Sequence, residues 1–177
     1  MARIMQVHDS IVIAAEPLEL WEQIADPSQM GRWSPENTGA DVPHPGSPAT
    51  VGMTFTGSNR RGRARWVTSC TVTEAVPGEK FTFEVRAIGP RKPLLKGGIA
   101  TWSYTVEPVD GGTRVTESWA DGRTRWPDAV AARFDRFVTG GQLFSDFQRG
   151  NIARTLAALR ADVEGAPRSG GERALRD

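Results

Sequence analysis

The sequence predicts an α+β fold, in which a strongly curved antiparallel sheet with one buried face wraps around a long C-terminal helix. Three observations carry the prediction. Everything that reads as strand comes first, and the one segment long enough for an extended helix, Trp126 to Val163, comes last. Two short helical segments follow the first strand. Three turn signals, assigned independently, bring large apolar residues onto one common sheet face when the flanking strands are paired around them.

The final segment shows its apolar face directly. Ile152, Leu156, Leu159 and Val163 recur at spacings of four, three and four, which aligns them on a helix of 3.6-residue period. Leu143, Phe144 and Phe147 extend that surface upstream. An earlier stretch, Pro127 to Val138, carries its own stripe of Val130, Phe134, Phe137 and Val138. Thr139-Gly140-Gly141 should break the two apart, since each glycine costs about 1 kcal/mol inside a helix. A helix with one apolar face must be buried against something, and the preceding residues supply a sheet.

Met5 to Ala14, rich in Val and Ile, reads as the first strand. Pro17 then opens a helix at the position where a missing N–H costs nothing, with Leu20, Trp21 and Ile24 as its buried stripe. Asp26-Pro27 repeats the device, aspartate as cap, for a short helix carrying Met30 and Trp33. Prolines and glycines from Glu36 to Pro48 predict a short strand and an irregular connection.

Registers follow from the turns. A tip at Arg60-Arg61 places Phe55 opposite Trp66, Met53 opposite Thr68 and Val51 opposite Cys70. A two-residue loop at Pro77-Gly78 pairs Cys70 with Val85 and Val72 with Phe83. Asp110-Gly111 is the strongest hairpin signal, pairing Val106 with Val115, Tyr104 with Glu117 and Trp102 with Trp119. Ile88 to Gly98 (IGPRKPLLKGG) reads as a loop longer than a hairpin needs. Its Leu94 and Leu95 would form a lid, a membrane-touching tip, or a fold-back onto the core. The last residues, GAPRSGGERALRD, have no apolar periodicity and are expected to be a disordered tail beyond a single domain spanning 1–164.

Composition excludes several classes of function. Twenty-two basic against twenty-one acidic residues leave a net charge of +1, so the overall field favours no polyanion. One cysteine, Cys70, rules out an internal disulfide and fits a reducing compartment; with only His8 and His44 beside it, a zinc site of Cys/His type is not expected. The N-terminal region has no apolar run long enough for a signal peptide or a membrane span, so a cytoplasmic location and no stable membrane insertion are expected. Gly57 to Gly62 has the outer spacing of a phosphate loop but lacks its Lys-Ser/Thr pair. Arg60, Arg61, Arg63 and Arg65 form the densest basic run, and Arg63 and Arg65 point away from the Trp66 face, which favours a solvated surface over nucleic-acid binding. No Ser/His/Asp set can be assembled.

Glu117 is the informative carboxylate. Its register puts it beside Tyr104 and between Val115 and Trp119, on the face expected to be buried. There it needs a hydrogen-bond partner or a raised pKa. It is either a structural partner of Tyr104 or of an arginine, or a polar anchor or acid/base group inside a cavity. Asp121 shares its parity but lies nearer the strand end, where solvent is expected.

The order strand, two short helices, curved antiparallel sheet and long C-terminal helix resembles the helix-grip fold of the START and birch-pollen-allergen superfamily. Three stretches look like its polyketide cyclase/dehydrase-like (SRPBCC) branch: VIAAEPLELWEQIADPSQMGRWSPE, ATWSYTVEPVDGGTRVTESW and NIARTLAALRADVE. The resemblance spans roughly residues 3–164. It implies a cavity between sheet and helix that holds an apolar or amphipathic small molecule. The residues placed to line it are Trp33, Phe55, Trp66, Cys70, Phe83, Val85, Trp102, Tyr104, Glu117, Trp119, Phe144 and Phe147. Two functions are compatible with it. One is a carrier or binder of a hydrophobic ligand. The other is a cofactor-free cyclase or dehydratase in which Glu117 and Tyr104 handle protons. Neither requires a cofactor or metal, and the oligomeric state is left open.

Overall fold

The computed structural model describes residues 3–165; the expected tail from Ala166 onward lies outside the described residues. Seven strands form one sheet in the order β1-β7-β6-β5-β4-β3-β2, every neighbouring pair antiparallel. They are β1 (Gln6–Ile13), β2 (Asn37–Asp41), β3 (Thr54–Arg61), β4 (Ala64–Val76), β5 (Lys80–Gly89), β6 (Leu95–Val109) and β7 (Gly112–Asp121). The helices are α1 (Pro17–Ile24), α2 (Asp128–Thr139) and α3 (Phe144–Gly165), with a short 3₁₀ helix at Pro27–Arg32 after α1. This is a curled antiparallel half-barrel gripping a C-terminal helix.

Both short helices begin where their prolines predict. Leu20, Trp21 and Ile24 of α1 are buried, and the Trp21 indole donates to the Lys80 carbonyl at 2.8 Å, pinning α1 beside the β4–β5 turn. The Asp26 side chain caps the 3₁₀ helix by accepting from Ser28 N at 3.0 Å. Trp33 leaves that helix and donates to Asp162 Oδ2 of α3 at 2.9 Å, so the entry of the chain is tied to its exit. Ile152, Leu156 and Leu159 of α3 are buried in one core with Phe55, Val72, Phe81, Val115 and Trp119 of the sheet.

The β6–β7 hairpin pairs Val106 with Val115, Tyr104 with Glu117 and Trp102 with Trp119, as Asp110-Gly111 predicts. Gly112 beyond that turn accepts no side chain: its φ is +143°, and a Cβ there would meet the Ile13 carbonyl oxygen at 2.1 Å.

Two other turns need correction. The β3–β4 tip is Gly62-Arg63, not Arg60-Arg61. Phe55 therefore faces Cys70, Asn59 faces Trp66, and Val51 and Met53 fall outside the ladder. Gly62 takes a left-handed φ of +56°, which an arginine adopts only at a cost. The slip is four residues, an even number, so every side chain keeps the face assigned to it. The β4–β5 loop holds three residues, Pro77 to Glu79, because Val76 pairs with Lys80. A register shift between Val72 and Glu74 absorbs the extra residue and restores the expected pairs Val72–Phe83 and Cys70–Val85.

The stretch from Ile88 to Gly98 is mostly strand. Ile88 pairs with Leu95, leaving only Pro90 to Leu94 as loop. Leu94 and Leu95 are 77% and 58% exposed, so they do not fold back onto the core. The α2 stripe also departs from expectation. The residues α2 buries are Ala131 and Asp135, whereas Val130, Phe134 and Phe137 are exposed. Asp135 is drawn inward by a buried arginine, which turns the apolar stripe toward the open end of the barrel. Gly140, at φ +77°, ends α2 in the left-handed conformation that its glycines invite.

Candidate functional site

Between the concave face of the sheet and α3 lies a cavity of about 880 Å³. Alternation along each strand builds its wall. Phe55 comes from β3, Trp66 and Cys70 from β4, Phe83 and Val85 from β5, Trp102 and Tyr104 from β6, and Glu117 and Trp119 from β7. Trp33 and Phe144 complete the apolar lining from the helical side. Phe55 and Phe83 meet edge to face at 5.3 Å, and Trp119 packs on Phe144 at 6.3 Å. Phe147 is the exception among the residues placed on this wall. It is half-buried outside the cavity, beneath the Arg61 guanidinium at 4.1 Å.

Glu117 is 2% exposed, between Val115 and Trp119 on the inner face. Tyr104 donates its hydroxyl proton to Glu117 Oε1 at 2.7 Å, and Oε2 has no partner among the described residues. Burial pushes the Glu117 pKa from the usual 4.5 up to about 8, with the Tyr104 hydrogen bond pulling weakly the other way. Near neutral pH the side chain is therefore a neutral carboxylic acid. Burial, followed by the neighbouring Glu117, raises Tyr104 well above the ordinary phenol range, so it stays a donor. Burial likewise lifts the Cys70 thiol to about 11, which makes it an inert part of the wall rather than a nucleophile.

Sequence reasoning missed a second polar group on the wall. Arg61 shares the parity of Phe55 and points inward. Its Nε donates to Glu36 Oε1 at 2.6 Å and its Nη1 to the Val138 carbonyl at 2.6 Å, while the guanidinium stacks 5.4 Å from Trp66. Asn151 Nδ2 donates to the other Glu36 oxygen at 2.9 Å and to Gln148 Oε1 at 3.0 Å. The alternation that put Phe55 inside was a signal for Arg61 as well, obscured by its place in a basic run.

A third group lines the cavity beside α2. Asp121, expected near solvent, is 4% exposed and holds Arg123 through two charge-assisted bonds of 2.9 and 2.7 Å. Arg123 also donates to Asp135 Oδ1 of α2 at 2.7 Å, and Asp135 Oδ2 accepts from the backbone of Phe144 at 3.2 Å. The guanidinium lies against Trp126, Phe134 and Phe144, at 4.7 Å from the last. A fully paired arginine of this kind fixes α2 to the end of β7.

The site is thus an aromatic chamber holding one neutral acid couple and two internally satisfied arginines. Solved structures of other proteins share the fold. A START superfamily protein from Mycobacterium smegmatis superposes with a TM-score of 0.64 at 11% identity, covering 92% of this chain and 99% of that one. Protein CV1439 from Chromobacterium violaceum gives 0.62 at 16% identity, over 91% and 99%. The Polyketide_cyc-like protein Cgl2372 from Corynebacterium glutamicum gives 0.56 at 25% identity, over 98% and 100%. No curated protein matches the sequence. The family model described as polyketide cyclase/dehydrase and lipid transport matches residues 5–164, which takes in every strand and every cavity residue named above. The chain belongs to that family.

Proposed function

We propose that this protein binds and carries an apolar or amphipathic small molecule in the chamber between sheet and C-terminal helix. The cavity itself is the observation that carries the reading: about 880 Å³, walled chiefly by aromatic and aliphatic side chains. That size and lining match what a small-molecule site needs to bury most of its ligand. Residues 1–164 act as one domain in this reading, and the protein works in the cytoplasm without a cofactor. The test is direct. An apolar fluorescent probe should bind at one saturable site and quench tryptophan emission, and mass spectrometry of an organic extract of the purified protein should name the resident ligand. A probe that binds without saturation, at no defined stoichiometry, would defeat the reading.

One observation favours a second reading, a cofactor-free cyclase or dehydratase. A carboxylic acid with a pKa near 8, hydrogen-bonded to Tyr104 on the wall of a largely apolar cavity, is suited to proton transfer near neutrality. A structural relative of this chain, at 14% identity and a TM-score of 0.56, comes from the dynemicin biosynthetic locus. In this reading Glu117→Gln keeps substrate binding and cuts turnover by about two to four orders of magnitude. Under the carrier reading the variant has no turnover to lose.

A further inference from the structure

Three segments frame the open end of the chamber. Ala64, Arg65 and Trp66 come from the β3–β4 tip, Gly89, Pro90 and Leu95 from the β5–β6 connection, and Phe134, Phe137 and Val138 from α2. They are neighbours in space: Val67 pairs with Gly89, and Arg61 of the tip holds the Val138 carbonyl at 2.6 Å. Their surface is unusual in two independent ways.

The first is apolar exposure. Phe137 is 87% exposed, Leu94 77%, Leu95 58% and Phe134 39%. Phe134 still meets Trp126 edge to face at 5.4 Å, whereas Phe137, Leu94 and Leu95 turn most of their surface to solvent on this rim. A cluster of this kind marks an interaction surface rather than scattered exposed residues.

The second is charge. Arg60, Arg63 and Arg65 project from the tip, Arg91, Lys92 and Lys96 from the loop and the start of β6, and Arg133 and Arg136 from α2. All are exposed, and none makes an ion pair among the described residues. The acids of these segments do not offset them. Asp135 is consumed by Arg123, and Asp128 stands at the far end of α2, 3.9 Å from Arg3. A chain of net charge +1 has concentrated free cations around one opening.

We propose that this rim is a docking surface for an anionic lipid bilayer, at which the chamber exchanges its ligand. Exposed Leu and Phe set among Lys and Arg match the two layers of a membrane surface: apolar groups enter the acyl boundary while cations stay with the phosphates. A folded nucleic acid would satisfy the charge but not the leucines and phenylalanines. A protein partner would need acids and an apolar patch together. Docking is peripheral, because among the described residues no helix is long and apolar enough to cross a membrane. The ligand-exchange half of the proposal rests on the carrier reading; the docking half does not.

Vesicle sedimentation tests it with the intact chain. The protein should pellet with vesicles of equimolar phosphatidylcholine and phosphatidylglycerol, and remain in the supernatant with phosphatidylcholine alone. Raised salt should release it, because exposed charges are screened within a Debye length. Lys92→Glu should lower partitioning roughly tenfold. Leu94→Ser should lower it further, and neither residue lines the chamber, so both variants should bind the apolar probe in solution as the wild type does. Equal pelleting with neutral and anionic vesicles, pelleting with neither, or indifference to both substitutions would overturn the proposal. Binding to duplex DNA with the same dependence on Lys92, and none on Leu94, would assign the rim to a polyanion instead. Probe binding without vesicle association leaves the carrier reading standing and removes this one; vesicle association without probe binding keeps the docking surface and removes the carrier reading together with ligand exchange.

Discussion

Glu117→Gln should change how stability depends on pH, and the structure gives the size of the change. In the unfolded chain the carboxyl titrates at the usual 4.5; in the folded chain burial holds it at about 8. Between those values the unfolded state has lost its proton and the folded state has kept it. The folded state therefore binds more protons, and stability falls as pH rises. The loss runs at about 1.4 kcal/mol per pH unit, reaching about 3 kcal/mol at pH 7 and about 5 kcal/mol above pH 8. Below pH 4.5 there is no penalty, because both states are protonated.

Glutamine has the same shape, accepts the Tyr104 hydrogen bond through its own Oε1 and does not titrate. Urea unfolding of both proteins at pH 5 and pH 8 isolates the effect, since every other titrating group is common to them. Wild type should lose about 4 kcal/mol more than the variant over that interval, a large share of the 5–15 kcal/mol that typically separates folded from unfolded. If the gap between the two proteins moved by less than about 0.5 kcal/mol, Glu117 would be ionising normally and the chamber would be wet. If wild type gained on the variant instead, the carboxylate would have a cationic partner and the neutral-acid description would fail.

Two further substitutions probe the walls. Asp135→Ala leaves Arg123 short of one partner in a buried site and should cost about 3–5 kcal/mol, with amide exchange accelerating first in α2; urea titration combined with hydrogen exchange reads both. Trp66→Ala should cost well under the roughly 3–5 kcal/mol of a packed core tryptophan, since Trp66 is half-buried at the chamber mouth, yet weaken apolar-probe binding measurably. A full core-sized loss with unchanged probe affinity would make Trp66 structural only.

Sheet parity was legible because it needs so little. Side chains alternate with a period of two, so any register error of even length leaves inside and outside unchanged. The β3–β4 hairpin shows this: four residues out of register, it still faced Phe55, Trp66 and Cys70 inward. Parity also placed Glu117 beside Tyr104, since Asp110-Gly111 names its own register. What the sequence hid depends on contacts far apart along the chain. Arg61 meets Glu36 across 25 residues, and Asn151 reaches the same carboxylate across 115. Asp121 looked solvent-bound because Asp135, which completes the cage around Arg123, belongs to a helix whose rotation no local pattern fixes. Even the chamber's volume is of this kind. It depends on how far the sheet curls, and bulges that bend it fall where registers shift, at Asn37/Gly39, Ser69/Cys70, Val72/Glu74 and Val85/Ala87. Only the first of these carries a glycine to announce it. A fold can therefore be read from periodicity and turns, whereas a binding site is the space left after long-range packing has been decided. In this chain Arg61 sat in a basic run that read as solvated surface, and Arg123 carried no local signal at all, yet both are bound into the wall.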